Sequence, residues 1–375
     1  IENLKKGNFD DDLITSIINN LKKTTIQSTE TYGSRASNLM DAFTNELDWQ
    51  TQVAYTDQLS KLTKKDIVAF ANKYFGDNYV VILKRKGEND NIIKVEKPPI
   101  TPVETNRNSQ SEFVKKVNNM PATSVKPVWL DYNKDVQKAK IGPADVLYVQ
   151  NKDNSLFRLR YRFDMGTWND KKLSLAAQYI QFLGTDKMST EDITKAFYKI
   201  ACSFNVSAST EYTTVTIEGL QENFSKAVQL FEDVLKNCKA DEDALKSLKA
   251  RLIKSRTDAK LNKGAIMSGL NNYARYGSNN PFNYTLSDDE LINITSTELL
   301  NSLHSLNSNK HSILYYGPQP LAQFTAGLKS MHSIPAAFKP ANAKVKFTFA
   351  EQTKNQVLFA DYNMVQAEIR WVRNT

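Results

Sequence analysis

Slid along itself by 232 positions, the sequence falls back into register. "DQLSKLTKKDIVAFANKYFGDNYVVILKRKG" lies over "DELINITSTELLNSLHSLNSNKHSILYYGP" without a gap through a helix and into a strand. Leu59 falls on Leu291, Leu62 on Ile294, Thr63 on Thr295, Asp66 on Glu298 and Ile82 on Leu314. Upstream, Leu13 falls on Leu245 at the same offset. A weaker echo sets "VLYVQNKDNSLFRLRYRF" from Val146 beside "VLFADYNMVQAEIRWVRN" from Val357; both read as strand, polar turn, strand. Such repeats indicate tandem copies of one domain-sized unit. Residues 1–92 are then the helical tail of one copy and 141–335 a whole copy. Residues 346–375 are the opening strands of the next, and the chain is a middle slice of something longer.

The local pattern agrees with that division. Residues 10–75 are helical in period, with Leu13, Ile14, Ile17 and Ile18 on one face, then Leu39, Met40 and Phe43. Thr63 with Asp66 three residues on is a carboxylate form of the capping box, and "NYVVILKRKG" reads as a strand. Residues 93–140, with Pro98, Pro99, Pro102, Pro121 and Pro127 among polar residues, form a linker by composition. After it the period becomes two: Phe157, Leu159, Tyr161 and Phe163 alternate, and so do Phe204 and Val206, then Val215 and Ile217. Helices are expected at about 171–183 and 189–201. "NFSKAVQLFEDVL" places Phe224, Ala227, Val228, Phe231, Val234 and Leu235 on one stripe. Strands, helices, strands and then many helices predict an α+β class, a mixed or antiparallel sheet with helices layered on one face.

Several chemistries drop out. "GxGxxG", "GxxxxGK[ST]" and "GxSxG" are absent, so neither a phosphate loop nor a serine nucleophile elbow is expected. The net charge of +8 is spread without a basic block, which argues against a nucleic-acid footprint. No apolar run is long enough for a membrane span. Cys202 and Cys238 fit neither a disulfide framework nor a metal spacing; they read as buried apolar residues without a partner His. Zinc chemistry needs convergent His and carboxylate ligands. The three histidines, His304, His311 and His332, share no "HxxEH" or "HExxH" and read as surface or partly buried structural residues. Asp288, Asp289 and Glu290 suit a helix N-terminus. The sequons at Asn205, Asn223, Asn283 and Asn293 are weak signals of glycosylation. No catalytic, metal-ligating or substrate-binding residue can be assigned on the chain's own residues. Compartment and oligomeric state stay open.

Four motifs in order change the reading: "FLGTDKMSTEDI" at 182–193, "CSFNVSAST" at 202–210, "EGLQENFSKAVQLF" at 218–231 and "YGSNNPFNYTLSDDEL" at 276–291. With "FADYNMVQAEI" at 359–369 and the helical tail of residues 1–92, they resemble the pitrilysin/insulinase family of zinc metallopeptidases nearly end to end. In that family an inverted "HxxEH" on a helix precedes the first motif. Here those positions hold Leu175, Ala176, Ala177, Gln178 and Tyr179, so both His positions and the Glu are replaced. The later helix "DALKSLKARLIK" offers Lys and Leu where the family places a carboxylate ligand.

The resemblance implies repeated metallohydrolase-like domains. The chain resembles the end of domain two (1–92), the linker between halves (93–140), a complete non-catalytic domain three (141–335) and the first strands of domain four (346–375). It implies a zinc metalloendopeptidase parent whose catalytic half lies on the same polypeptide and holds the zinc. The fragment itself is expected to bind no metal and to be inactive, serving as chamber wall and contact surface for a peptide or unfolded protein. The alternative is a non-catalytic scaffold, like the core subunits of a respiratory complex, partnering a separate active peptidase.

Overall fold

The computed structural model describes residues 1–87, 92–93, 95–103, 105, 107–363 and 365–373. Its helices in chain order are α1 (Glu2–Lys5), α2 (Leu13–Ser28), α3 (Tyr32–Thr44), α4 (Trp49–Leu59), α5 (Lys64–Tyr74) and α6 (Glu112–Asn118). There follow β1 (Gln137–Ile141), β2 (Ala144–Gln150), β3 (Leu156–Phe163), α7 (Leu173–Tyr179), α8 (Thr190–Lys199), β4 (Cys202–Ala208) and β5 (Thr213–Leu220). The last are α9 (Phe224–Asn237), α10 (Glu242–Ala259), α11 (Lys263–Tyr276), α12 (Asp288–Asn293), α13 (Ser296–His304), β6 (His311–Gly317) and α14 (Leu321–Met331).

The two copies of the sequence repeat begin their helices alike. Thr63 caps α5 and Thr295 caps α13, each with a full capping box closed by Asp66 and Glu298. The carboxylate takes the cap residue's backbone N–H at 2.9 Å in both. Four donors at a helix start lack intrahelical partners, and each box satisfies two of them within three residues. The same logic caps α12 through Ser287 and Glu290, the N-terminal role expected of that acidic run.

The six strands form one mixed sheet in the order β1-β2-β6-β3-β5-β4. Neighbouring strands are antiparallel except β2 and β6, which run parallel. The last strand in sequence thus lies between β2 and β3, which flank a polar turn but do not pair with each other. Along β3 from Phe157 onward the alternation is strict: Phe157, Leu159, Tyr161 and Phe163 are buried, while Arg158, Arg160 and Arg162 are exposed. Opposite faces of a pleated strand meet different surroundings. The buried face joins the α9 stripe, all six of whose expected residues are buried, in a core also lined by α7, α10, α13 and α14. The other face carries Ser312, Leu314, Thr214 and Thr216 beside the arginines and is half-exposed or open. The fold is therefore α+β, with α7, α9, α10, α13 and α14 gathered on one face and α2 touching the end of the other through Ile26.

Two expectations need correction. β1 begins inside the stretch read as linker, because Gly142 (φ +57) and Pro143 turn the chain back onto β2. Its exposed Lys138 and Lys140 disguised it, although charges are what an edge strand carries. Conversely, residues 79–85 and the described part of 346–375 contain no strand. Val80, Val81, Ile82 and Leu83 are 64–90% exposed. A strand exists only through a ladder with a neighbour's backbone, and among the described residues neither segment joins one, although Ala350 N donates to the Arg275 carbonyl at 2.8 Å. Helix α2 nevertheless reaches the sheet unit: Asn20 Nδ2 donates to the Tyr198 carbonyl at 2.7 Å, and Lys199 pairs with Asp12 at 2.9 Å. Among the described residues no helix is long and apolar enough to cross a membrane.

Candidate functional site

Helix α7 carries the three positions singled out in the sequence. A turn closed by Asn169, whose Oδ1 accepts from the Gly166 N–H at 3.0 Å, leads into it. Leu173, Leu175, Ala176, Ala177 and Tyr179 are buried, so most of this short helix is core. Leu175 packs at the floor of a cleft of about 390 Å³ between α7, the β4–β5 turn, α10 and residues 284–291. Gln178, half-buried on the same wall, donates from Nε2 to the Ser174 carbonyl at 3.2 Å. Tyr179 is fully buried and turns away towards α10. Its hydroxyl donates to the Asp241 carbonyl and accepts the Asp241 N–H, both at 2.8 Å. Asp241 is the N-cap of α10, its carboxylate accepting from the Ala244 N–H. Tyr179 therefore pins the start of one helix to the end of another. Burial pushes its phenol above the usual tyrosine range.

On α10 the cations make contacts of their own. Lys249 Nζ donates to the Ile292 and Ile294 carbonyls at 2.9 and 2.6 Å, at the end of α12. An ammonium at a helix C-terminus meets carbonyls that have no intrahelical donor. Arg256 bonds Asp288 at 2.5 Å and the Leu286 carbonyl at 2.6 Å. Lys171 faces Glu290 at 3.4 Å across the same cleft. This donor set does not fit a zinc ion. Leu175 has no lone pair, Gln178 and Tyr179 are engaged with backbone, and Lys249 and Arg256 would repel a divalent cation. Among the described residues no three His, Cys, Asp or Glu side chains converge with geometry that could hold a metal.

Cys202 and Cys238 are buried and His304 is an exposed helix residue, as read from the sequence; the differences are the His beside Cys238 and the burial of the other two histidines. His304 ends α13, and its Nε2 lies 3.1 Å from the Cys238 carbonyl oxygen and 3.4 Å from Cys238 Sγ, so this cysteine does have a neighbouring His. The carbonyl takes the imidazole N–H, which leaves no basic nitrogen facing the thiol. Burial pushes Cys238 up to about 11 and Cys202 up to about 12, the opposite of an activated nucleophile. His311 and His332 are not surface residues: they are buried, with Nε2 atoms 3.0 Å apart. For His311 the signal was available, since it shares the inward period of Ile313 and Tyr315 on β6. For His332 none was, because its neighbours are reached only through the fold. Of the sequons, Asn223 and Asn283 spend their side-chain amides on the Ile200 and Ser278 carbonyls.

Residues 176–279 match the family model described as Insulinase (Peptidase family M16), so the resemblance to that family holds over the stretch that contains most of the degenerate motif. Among solved structures, the chain is similar to a peptidase M16 inactive domain from Pseudomonas fluorescens at 21% identity and a TM-score of 0.49, over 56% of this chain and 53% of that one. It is similar to a mutant of the ferredoxin protease FusC in complex with Arabidopsis ferredoxin at 13% identity and a TM-score of 0.50, over 92% of this chain and 42% of that one. It is also similar to the periplasmic protease PqqL from Escherichia coli at 12% identity and a TM-score of 0.49, over 86% and 38%. The chain thus spans about half or less of the length of these structures. No curated protein sequence matches it.

Proposed function

We propose that this chain is the middle of a zinc metalloendopeptidase of the pitrilysin/insulinase family and supplies chamber wall and substrate contact from its non-catalytic half. In this reading 1–92 closes a domain two, 93–140 joins the halves, 141–335 is a domain three, and 346–375 opens a domain four. The zinc belongs to a catalytic half on the same polypeptide. The observation that carries the proposal is α7, which runs into the stretch matching the peptidase family: its motif positions are filled by a core leucine just before that stretch and, inside it, a backbone-bound glutamine and a helix-pinning tyrosine. Packing has replaced ligation at a site whose surroundings persist.

Two features support a wall and contact role. The sheet face that carries Arg158, Arg160 and Arg162 on β3 is largely open, with α2 packed at its Leu156 end through Ile26. Among the described residues the edge strand β4 pairs only with β5, so its outer side offers backbone groups to an extended peptide by strand addition. The neighbour solved with ferredoxin makes a protein substrate the natural class to try first.

The test is complementation. The catalytic half of the parent polypeptide is mixed with this chain and a fluorogenic peptide, with zinc present. Cleavage that rises on adding this chain, while this chain alone cleaves nothing and retains no zinc after dialysis, is the expected result. Stoichiometric zinc on this chain would overturn the reading. A parent without peptidase activity in any combination would favour the scaffold role.

A further inference from the structure

Beneath the end of α14 three side chains from three elements stand in a row: Glu232 on α9, His332 just past α14 and His311 at the start of β6. Glu232 Oε1 is 2.7 Å from His332 Nδ1, and His332 Nε2 is 3.0 Å from His311 Nε2. His311 Nδ1 is 2.8 Å from the Asn309 carbonyl oxygen. Proton counting sets the state of this row. A carbonyl oxygen only accepts, so His311 Nδ1 carries a hydrogen. Two imidazole nitrogens face each other at this distance only with one proton between them, and an imidazole nitrogen meets a carboxylate only in the same way. Three contacts need three protons, which leaves the two rings and the carboxylate with no net charge between them. A fourth proton would set N–H against N–H and add a positive charge to a dry site.

The elements packed around the row bring rings, an amide and one shared carboxylate. From β3, Tyr161 stacks on the His332 ring at 4.0 Å, and burial raises its phenol well above the usual range. Asp164, past the end of β3, is shared by Arg162 and Lys310. Phe163 and Phe338 flank His311 at 4.7 and 4.9 Å. Asn307 Nδ2 holds the second oxygen of Glu232 at 3.0 Å. A cleft of about 560 Å³ lined by Glu232, Asn307 and His304 brings solvent to the carboxylate end of the row.

His332 also begins the strap by which the chain leaves the sheet unit. Lys339 N donates to the Ser308 carbonyl, Asn169 Nδ2 to that of Asn342, and Val345 N to that of Trp168. We propose that Glu232, His332 and His311 form a proton-operated clasp: closed, it fastens the strap of residues 332–345 to the sheet, and on taking up a further proton it lets the strap go. Nothing in this depends on peptidase function.

The direction of the pH effect follows from His311. Burial first, and the neighbouring His332 charge as a smaller cause, push it down from 6.5 to about 4. Once the clasp is open, His311 takes its proton in the ordinary range; while closed, it does so only near 4. Opening therefore takes up one proton between those values. The open-to-closed ratio rises about tenfold per pH unit as pH falls from about 6.5 to about 4, then levels off.

The experiment is hydrogen exchange on the full chain across this range. It reads the amides of Lys339 and Val345 against those of β3 and β5 in the same sample, corrected for intrinsic exchange. Strap protection falling about tenfold per pH unit while sheet protection holds is the expected result. Strap amides that keep their protection, or lose it in step with the sheet, overturn the clasp. His311→Gln keeps an acceptor for His332 but cannot titrate, so its strap protection is expected to stay flat; the wild-type slope in this variant would also overturn the proposal. If that variant does not fold, imidazole nitrogen spectra of the wild type decide. His311 protonated at Nδ1 alone with the strap closed agrees; His311 protonated on both nitrogens with the strap closed does not.

Discussion

Removing one oxygen atom from Tyr179 isolates the claim that packing now occupies the motif position. Tyr179→Phe keeps the buried ring and deletes two hydrogen bonds of 2.8 Å to the backbone of Asp241. What remains is an unpaired Asp241 N–H at the head of α10, beside a phenyl ring that is fully buried, while the Asp241 carbonyl keeps the Leu245 N–H at 3.0 Å. A hydrogen bond contributes about 1 kcal/mol net, and a buried group left unpaired costs about 1–3 kcal/mol. The expected loss is therefore about 2 kcal/mol. The reference is Tyr148→Phe, which deletes a single bond of 2.7 Å to the Gln319 carbonyl and should cost about half as much. The assay is native-state hydrogen exchange at β5 amides, which reports opening of the sheet unit without requiring the whole chain to unfold as one. If Tyr179→Phe is no less stable than wild type, or loses less than Tyr148→Phe, then the tyrosine is not a structural replacement and the reasoning at α7 fails.

Lys249→Met is expected to cost about 1–2 kcal/mol by stripping the donors from the Ile292 and Ile294 carbonyls, and Lys249→Glu more, since a carboxylate would face the same oxygens; thermal melts compare the two. Gly166→Ala would set a Cβ 2.5 Å from the Thr210 carbonyl oxygen and the Tyr212 nitrogen, both backbone atoms. The turn must shift, at about 1–3 kcal/mol or more, read by urea unfolding. The buried thiols Cys202 and Cys238 should resist an aromatic disulfide reagent at pH 8 until the sheet unit opens. Their raised values also mean that unfolding releases protons above pH 9. Stability should therefore fall by about 1.4 kcal/mol per pH unit per thiol as pH rises from 9 to about 11, and a flat profile there would contradict their burial.

What could be read from the residues alone was whatever needs only chain neighbours. The capping boxes at Thr63 and Thr295 close within three residues, so the repeat and its helices were visible. The alternation of β3 and the stripe of α9 report a single wet-or-dry boundary, and both proved correct. Partnering was not visible. The helical face with Leu39, Met40 and Phe43 formed as expected but stays 55–85% exposed, and Ile82 found no sheet although its counterpart Leu314 lies mid-strand in β6. A propensity states what a segment can become; whether it does depends on another segment arriving beside it.

The same division holds for the chemistry. Residue types by themselves determined that Leu175, Gln178 and Tyr179 do not make an inverted zinc motif, because ligation requires particular lone pairs and these side chains do not supply them as a set. Only tertiary structure decided what those side chains do instead, and that Tyr179 holds the head of α10. It also brought Glu232 to His332, 100 positions away, and His332 to His311. A proton shared between side chains depends on distances of about 3 Å, and across long stretches of chain such distances are set by the packing of helices on a sheet rather than by any local pattern.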